Sequence, residues 1–363
     1  MIFQVVTFIV FVSYAILITA ITIGWWRLKV YKDKSAALNI KVSILVAIRN
    51  EAENIGVLIK SLSSQEYPSD LLEVILVDDH STDGTYELVK TQIQDLRNFK
   101  LISLKGERHS GKKAAITQGV QTSTGELIII TDADCTADIS WVTTLVSFYE
   151  KHCPHLILGP VRMINDGSLF GKLQSLEFSS LISSAAGSCN AGFPLMANGA
   201  NIAFTREAFD TCNGFTGNLK YPSGDDMFLL MNIKQHYGAG AIRFLRSEAA
   251  IVNTPATKGF KKFIQQRLRW VSKSTGYTDP LLIASSIIVF LTNVLVVVAA
   301  SLAVLSPEYF LPFLIVFALK FIVDFPLMLS FNQFQKSGKL LWLFPFSEFL
   351  NAVYTLFIGI AGN

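Results

Sequence analysis

The chain has 363 residues, 51% of them hydrophobic and 16% charged, with a formal net charge of +3. Its length fits one or two domains, and its apolar share is too high for an ordinary soluble enzyme. The small net charge gives no ground for a nucleic-acid partner, and no internal repeat or low-complexity segment is present.

The apolar excess is local. Residues 2–26 carry no charge, and Trp25-Trp26 then meet Arg27, Lys29, Lys32 and Lys34. A helix of ~23 residues is ~35 Å long, enough to cross the hydrocarbon core of a bilayer. The tryptophans suit an interfacial belt and the basic run a cytoplasmic flank. Residues 1–26 therefore read as an N-terminal transmembrane helix. A cleaved signal peptide fits poorly, because the charges follow the apolar stretch instead of preceding it.

The middle of the chain alternates strands and helices. Lys41–Ala47 has a buried-strand pattern, and Asn50-Glu-Ala-Glu-Asn-Ile opens a helical pattern reaching about Ser64. Leu72–Val77 is a second strand, ending in Asp78-Asp79 and a turn into a helix. Phe99–Leu104 reads as a third strand, Lys112–Gln121 as a helix, and Leu127–Thr131 as a fourth strand. Such alternation predicts a parallel, doubly wound sheet, whose ligands bind at the carboxyl ends of its strands.

Two acidic motifs fall at those ends. Asp132-Ala-Asp134 follows the fourth strand, and carboxylates at i and i+2 of an extended segment point the same way. Paired carboxylates at a strand end suit a hard divalent cation holding a diphosphate. Asp79 is placed to accept a hydrogen bond from a nucleobase N–H, its ordinary alternative being a cap on the helix after Ser81. Lys112 would balance phosphate charge or lie solvated on its helix. Residues 106–111 suggest a mobile loop, with His109 a surface histidine.

Ala197–Phe204 is a small-residue turn into a strand, allowing close backbone approach to a substrate or to another strand. Gly224-Asp225-Asp226 then begins a helix. The helix dipole favours acids there, and the flanking Gly and apolar residues would fix one carboxylate at a cleft floor. Residues 256–277 form an amphipathic interfacial segment, with Gln266 and Arg269 on nearly one face and Trp270 beside them. Its apolar side (Phe260, Phe263, Ile264, Val271) is expected against a bilayer.

Three further spans are predicted within 281–363, over Leu281–Leu305, Tyr309–Phe331 and Leu340–Ile360. Lys and Arg concentrate at 258–273 and 336–339, whereas the 306–308 loop has none. By the positive-inside rule this puts residues 27–280 in the cytosol and both termini outside. The basic clusters at these boundaries favour lipid head groups over nucleic acid. Lys320 and Asp324, four residues apart, are placed to pair. The four cysteines, Cys135, Cys153, Cys189 and Cys212, lack metal-type spacing and read as free thiols.

In this order, Asp79, Asp132-Ala-Asp134, Gly224-Asp225-Asp226 and Gln266-Arg-Leu-Arg269-Trp270 carry a resemblance. Over about residues 40–275 the chain resembles the inverting, membrane-bound family 2 glycosyltransferases, which include cellulose, chitin and hyaluronan synthases and ceramide glucosyltransferases. The resemblance implies a GT-A-type doubly wound mixed sheet over 40–255. It implies that Asp79 binds uracil, Asp132 the nucleotide sugar and Asp134 a Mg2+ or Mn2+ ion on the diphosphate. Glu51, in Arg49-Asn-Glu51, would lie on the nucleotide side. Asp226 would be the general base, with Asp225 as the competing choice because relatives often carry Glu there. Gln266, Arg269 and Trp270 would close over the pyrophosphate and line the acceptor site.

The expected function is inverting transfer of a sugar from a UDP-sugar to a lipid or lipid-linked acceptor. The expected location is an integral membrane one, in a bacterial inner membrane, with no obligate protein partner. Processive polysaccharide synthesis is the first alternative, and four spans are few for the channel it needs. A sugar-nucleotide-binding scaffold has no use for a base beside the sugar. A transporter is a further alternative, for which the C-terminal helices offer only Lys320, Asp324 and Glu348 as charged residues.

Overall fold

The computed structural model describes residues 2–33, 39–104, 110–216 and 223–362. Lys34 and His109, with most of the expected 106–111 loop, lie outside the described residues. The chain divides into two compact units, one of Lys29–Ile164 with Met196–Pro255, the other of Met1–Leu28, Asn165–Leu195 and Ala256–Asn363.

The first unit is built on a mixed sheet. In chain order its elements are β1 (Val42–Ile48), α2 (Ile55–Ser63), β2 (Leu72–Asp78), α3 (Thr85–Gln92), β3 (Phe99–Ser103) and α4 (Lys112–Thr122). They continue with β4 (Leu127–Ile130), β5 (Thr136–Ala137), α5 (Trp141–His152), β6 (Leu156–Leu158) and β7 (Val161–Ile164). The last are β8 (Ile202–Thr205), α7 (Arg206–Thr211), α8 (Asp225–Tyr237), β9 (Ile242–Phe244) and β10 (Val252–Pro255). The main sheet runs β3-β2-β1-β4-β8-β6-β9, and a small one runs β5-β10-β7. β4, Leu-Ile-Ile-Ile, is buried at every position, which explains its continuous apolar run: a strand covered on both faces has no reason to alternate.

β1 runs parallel to β2 and β4, with Ile48 beside Asp78 and Leu45 beside Ile130. The carboxyl ends of these three strands therefore share one edge, the placement expected for the two acidic motifs. β8 runs antiparallel to β4 and β6, so the sheet is mixed.

The second unit holds α1 (Ile2–Arg27), α6 (Leu169–Asn190), α9 (Phe260–Val271), α10 (Pro280–Leu305), α11 (Phe310–Phe334) and α12 (Phe344–Ala361). Among the described residues, four segments are long and apolar enough to cross a membrane: Val5–Arg27, Pro280–Leu305, Pro307–Phe334 and Gly338–Ala361. α1 packs on α6, α10 and α11. Gly24 and Gly187 meet there so closely that a Cβ on either would strike the other helix.

This division differs from the contiguous 40–255 boundary. Residues 165–195, expected in the sheet domain, join the apolar helices, because the Ser, Ala and Gly residues of α6 let it lie close along α1. A correction concerns the tryptophans. Trp26 is exposed, but Trp25 is fully buried, with its ring 5.0 Å from Phe331 and 5.4 Å from Phe334. A second concerns α9. Phe260 is exposed as expected, whereas Phe263 is buried, 5.3 Å from Phe170 and 5.5 Å from Tyr354. Part of the apolar side of α9 is thus covered by protein instead of lying open to lipid.

Candidate active site

The parallel strands place Asp79 one residue beyond β2, where its N–H donates to Ile48 O at 2.8 Å. Its carboxylate is buried and accepts from Gly111 N–H at 2.9 Å and from Arg49 Nη1 at 3.3 Å, with His80 Nδ1 at 3.0 Å. Burial alone would raise its pKa; the bonds from His80, Gly111 and Arg49 outweigh that and hold it below the usual carboxylate range. Asp79 does not cap the following helix. That contact belongs to Asp83, whose Oδ1 accepts from Thr85 N–H at 3.0 Å. Asp78 Oδ2 accepts from Ser81 N–H at 3.3 Å.

Beyond β4, Asp132 meets Lys112 at the start of α4. Lys112 Nζ lies 2.5 Å from Asp132 Oδ1 and 3.3 Å from Asp225 Oδ2. Burial would lower the lysine's pKa, but Asp132 and Asp225 reverse this and hold the ammonium well above its usual range. Lys112 is therefore not a solvated helix lysine. It joins the strand-end motif to the first turn of α8, where Asp225 is buried and Asp226 half-buried.

Gly224 precedes that turn with φ +89°, a left-handed conformation that favours glycine. Gly199, from the small-residue turn before β8, also closes on this point. Its N–H donates to Asp226 Oδ2 at 3.2 Å. A Cβ there would lie 2.8 Å from Lys112 Nζ and 3.1 Å from Asp225 Oδ2. The small residue thus admits the ammonium.

Asp134 is half-buried and shares a group with Asp132 and Cys135, their ligand atoms all within 4.8 Å of one another. Burial first, then the negative charges of Asp132 and Glu51, push its carboxyl up to about 6. Burial likewise raises Glu51, although Asn54 Nδ2 donates to its Oε2 at 2.7 Å. Asp134 and Cys135 line a cavity of about 220 Å³ with Asn54, Val57, Asn253 and Thr254.

A cation fits this group. Burial and, after it, repulsion from Asp132 and Glu51 disfavour the Asp134 carboxylate, and a positive charge beside it offsets both. The donors are hard oxygens, which suit Mg2+ or Mn2+. Burial and the adjacent carboxylates hold the Cys135 thiol well above its usual pKa, so it stays protonated and is a poor ligand. Cys135 was the neighbour that cysteine spacing did not reveal; its adjacency to Asp134 was the available signal.

Gln266, Arg269 and Trp270 lie on α9 in the helical unit. Gln266 and Trp270 are half-buried and Arg269 is exposed. The four cysteines are free thiols.

Residues 43–212 match the family model described as "Glycosyl transferase family 2". The poly-beta-1,6-N-acetyl-D-glucosamine synthase of Staphylococcus epidermidis is 31% identical over 143 residues, 39% of this chain and 33% of that protein. Glycosyltransferase AglE of Haloferax volcanii is 33% identical over 106 residues, 29% of this chain and 34% of that one. The chain thus spans about a third of the length of these curated relatives. Among solved structures, the mannosyltransferase PcManGT of Pyrobaculum calidifontis, in complex with GDP-Man and Mn2+, superposes with a TM-score of 0.58. It has 18% identity, and 97% of this chain and 98% of that one are covered. Residues 43–212 thus carry the match to family 2 glycosyltransferases, on a GT-A-type mixed sheet, and the described residues include one N-terminal and three C-terminal candidate membrane helices.

Proposed function

We propose that the protein transfers a sugar, with inversion, from a UDP-sugar to the hydroxyl of a lipid or lipid-linked acceptor, using Mg2+ or Mn2+. The observation that carries this reading is the Lys112 bridge between Asp132 and Asp225. It joins the carboxylates assigned to the donor and its cation to the pair assigned to the base.

Charge supports the cation. Asp132, Asp225 and Asp226 act on the Lys112 ammonium, and Asp134 and Glu51 stand close enough to Asp132 to be repelled by it. A nucleoside diphosphate would be repelled by such a set without added positive charge. When bound, Mg2+ or Mn2+ on Asp134 would neutralise the diphosphate and stabilise the charge developing on it as it leaves.

The chain's own residues supply the rest. Asp79 would orient the base, with Glu51 on the nucleotide side, and Lys112 would hold Asp132 against the nucleotide sugar. The acceptor oxygen attacks the anomeric carbon, the bond to the diphosphate breaks, and Asp226 takes the hydroxyl proton. Asp226 suits this role better than Asp225, which is buried against Lys112. One displacement inverts the anomeric centre, as in inverting glycoside hydrolysis. Gln266, Arg269 and Trp270 would contact the diphosphate and the acceptor.

The four apolar helices support a membrane protein, and the bias of Lys and Arg supports a cytosolic sheet unit in a bacterial inner membrane. A processive synthase is the second reading, favoured by the polymer named in the staphylococcal relative. Membranes carrying the protein should be given a panel of UDP-sugars and GDP-mannose, with and without Mn2+. Release of UDP that requires Mn2+ or Mg2+ is expected; release of GDP alone would reassign the donor, and release of neither would refute the reading. A long water-soluble polymer as product would select the second reading.

A further inference from the structure

The helix that carries Gln266 and Trp270 holds another arginine, unused so far. Arg267 is 2% exposed, the most buried residue of α9. Its Nε donates to Glu177 Oε1 of α6 at 2.9 Å, and its Nη2 donates to Glu177 Oε2, forming a two-bond fork. Its Nη1 donates to Gln266 Oε1 at 2.6 Å, and Thr257 Oγ1 donates to the same oxygen at 3.0 Å. Thr257 is itself held by α6: its N–H donates to Gln174 Oε1, and its carbonyl accepts from Gln174 Nε2, both at 3.1 Å. The guanidinium also lies over aromatic rings, 4.1 Å from the Trp270 centroid and 4.6 Å from that of Phe263.

Stability alone does not call for this arrangement. Desolvating a buried ion pair commonly offsets its attraction, and apolar side chains of similar volume often hold two helices as well. Apolar side chains could not, however, orient an amide. With both bonds on Gln266 Oε1, the amide NH2 is the end of that side chain left to donate outward. With the guanidinium over the Trp270 ring, the plane of the ring is held.

We propose that Glu177 and Arg267 are positioning residues. Through one guanidinium they fix the direction of the Gln266 amide and the plane of the Trp270 ring. The proposal rests on the reading above that Gln266 and Trp270 serve transfer. It gives α6 a role in the reaction without placing it against substrate.

The test uses the full chain in lipid, with kcat and the KM for nucleotide sugar measured separately. Arg267→Lys keeps the charge but loses the fork and the stack. It should lower kcat about tenfold to a hundredfold, as small misplacements of positioning groups do, with KM within about twofold. The double variant Glu177→Met/Arg267→Met should melt within a few degrees of wild type and remain equally slow. Wild-type kcat in either folded variant would show that the pair only fastens α6 to α9 and would overturn the proposal. Gln266→Ala and Trp270→Ala are the reference: if both turn over like wild type, the underlying reading falls as well. If both are slow while the Arg267 and Glu177 variants are fast, only the positioning role falls.

Discussion

Lys112 in the sheet unit and Lys320 in the helical unit each stand between two carboxylates. Lys112 meets Asp132 and Asp225 at 2.5 and 3.3 Å. Lys320 meets Asp324 at 2.8 Å and Glu348 as well, and Tyr14 OH donates to Asp324 at 2.7 Å. The difference lies in access. Lys112 and Asp132 keep 28% and 40% of their side-chain surface exposed, whereas Lys320 and Glu348 keep 3% and 6%. A closed cluster has no oxygen to offer a ligand, and its use is to join α1, α11 and α12, which supply its members. An open cluster at the ends of β4, α4 and α8 can exchange its internal partners for a substrate. The same pair of charge types is therefore a fastening where it is sealed and a candidate site where it is open.

The largest effect should follow removal of the cation or its carboxylate. Asp134→Ala, or excess EDTA on the wild type, should lower turnover by ~10³-fold or more, since a metal supplies several kcal/mol of charge stabilisation. Melting should stay near wild type, because Asp134 carries charge that its surroundings already disfavour. Full turnover in excess EDTA would break the comparison on the sheet side.

Next in size is the fastening. Lys320→Met leaves Asp324 and Glu348 buried without their cation and should cost about 3–5 kcal/mol of stability, read as a lower melting temperature in lipid. Lys112→Met leaves one buried carboxylate, Asp225, without its cation, so it should lower melting less than Lys320→Met does while reducing turnover. The reverse pattern would show that exposure does not separate the two roles.

Asp226→Asn should lower kcat by ~10²-fold, the usual worth of general-base catalysis, while nucleotide-sugar binding survives. A dead Asp225→Asn beside an active Asp226→Asn would move the base to the buried carboxylate.

The smallest effect is in pH. The Asp134 pKa of about 6 is raised from its ordinary value, so the folded protein holds a proton between about pH 4 and 6 that the unfolded chain has released. This group therefore favours the metal-free fold at low pH, and that contribution is lost as pH rises through 6. A cation must displace the same proton. Mn2+ affinity, measured by titration, should weaken about tenfold per pH unit below pH 6 and level off above it. A flat profile from pH 5 to 7 would remove Asp134 from the cation site.

Much of the sheet edge was legible in the sequence. Leu127–Ile130 is a continuous apolar run and Val42–Ile48 is broken only by Ser43, each with acids within a few residues beyond it, and parallel pairing brings their ends together. The Lys320–Asp324 pair was legible too, since i,i+4 spacing on a helix needs no tertiary knowledge. The Lys112 bridge was not, because it joins residues 20 and 113 positions apart in sequence, and only the fold sets such a distance. α6 escaped for a different reason. Its serines, alanines and glycines give neither an apolar stripe nor a charged face, and its partner α1 lies more than 140 residues away in the chain. β6 and β9, three residues each, are too short for a period to show. Arg267 reads as one more basic residue in an amphipathic helix until Glu177 is seen beside it.

In the proposed function, the acidic edge of the sheet transfers sugar to an acceptor in the membrane. The most direct test of that reading supplies the protein in lipid with a labelled UDP-sugar and Mn2+ and follows label into organic-extractable product. Wild type should form a lipid bearing one or a few sugars of inverted anomeric configuration, and Asp134→Ala and Asp226→Asn should form almost none. Equal incorporation by those variants, or no incorporation from any nucleotide sugar that demonstrably binds, would contradict it.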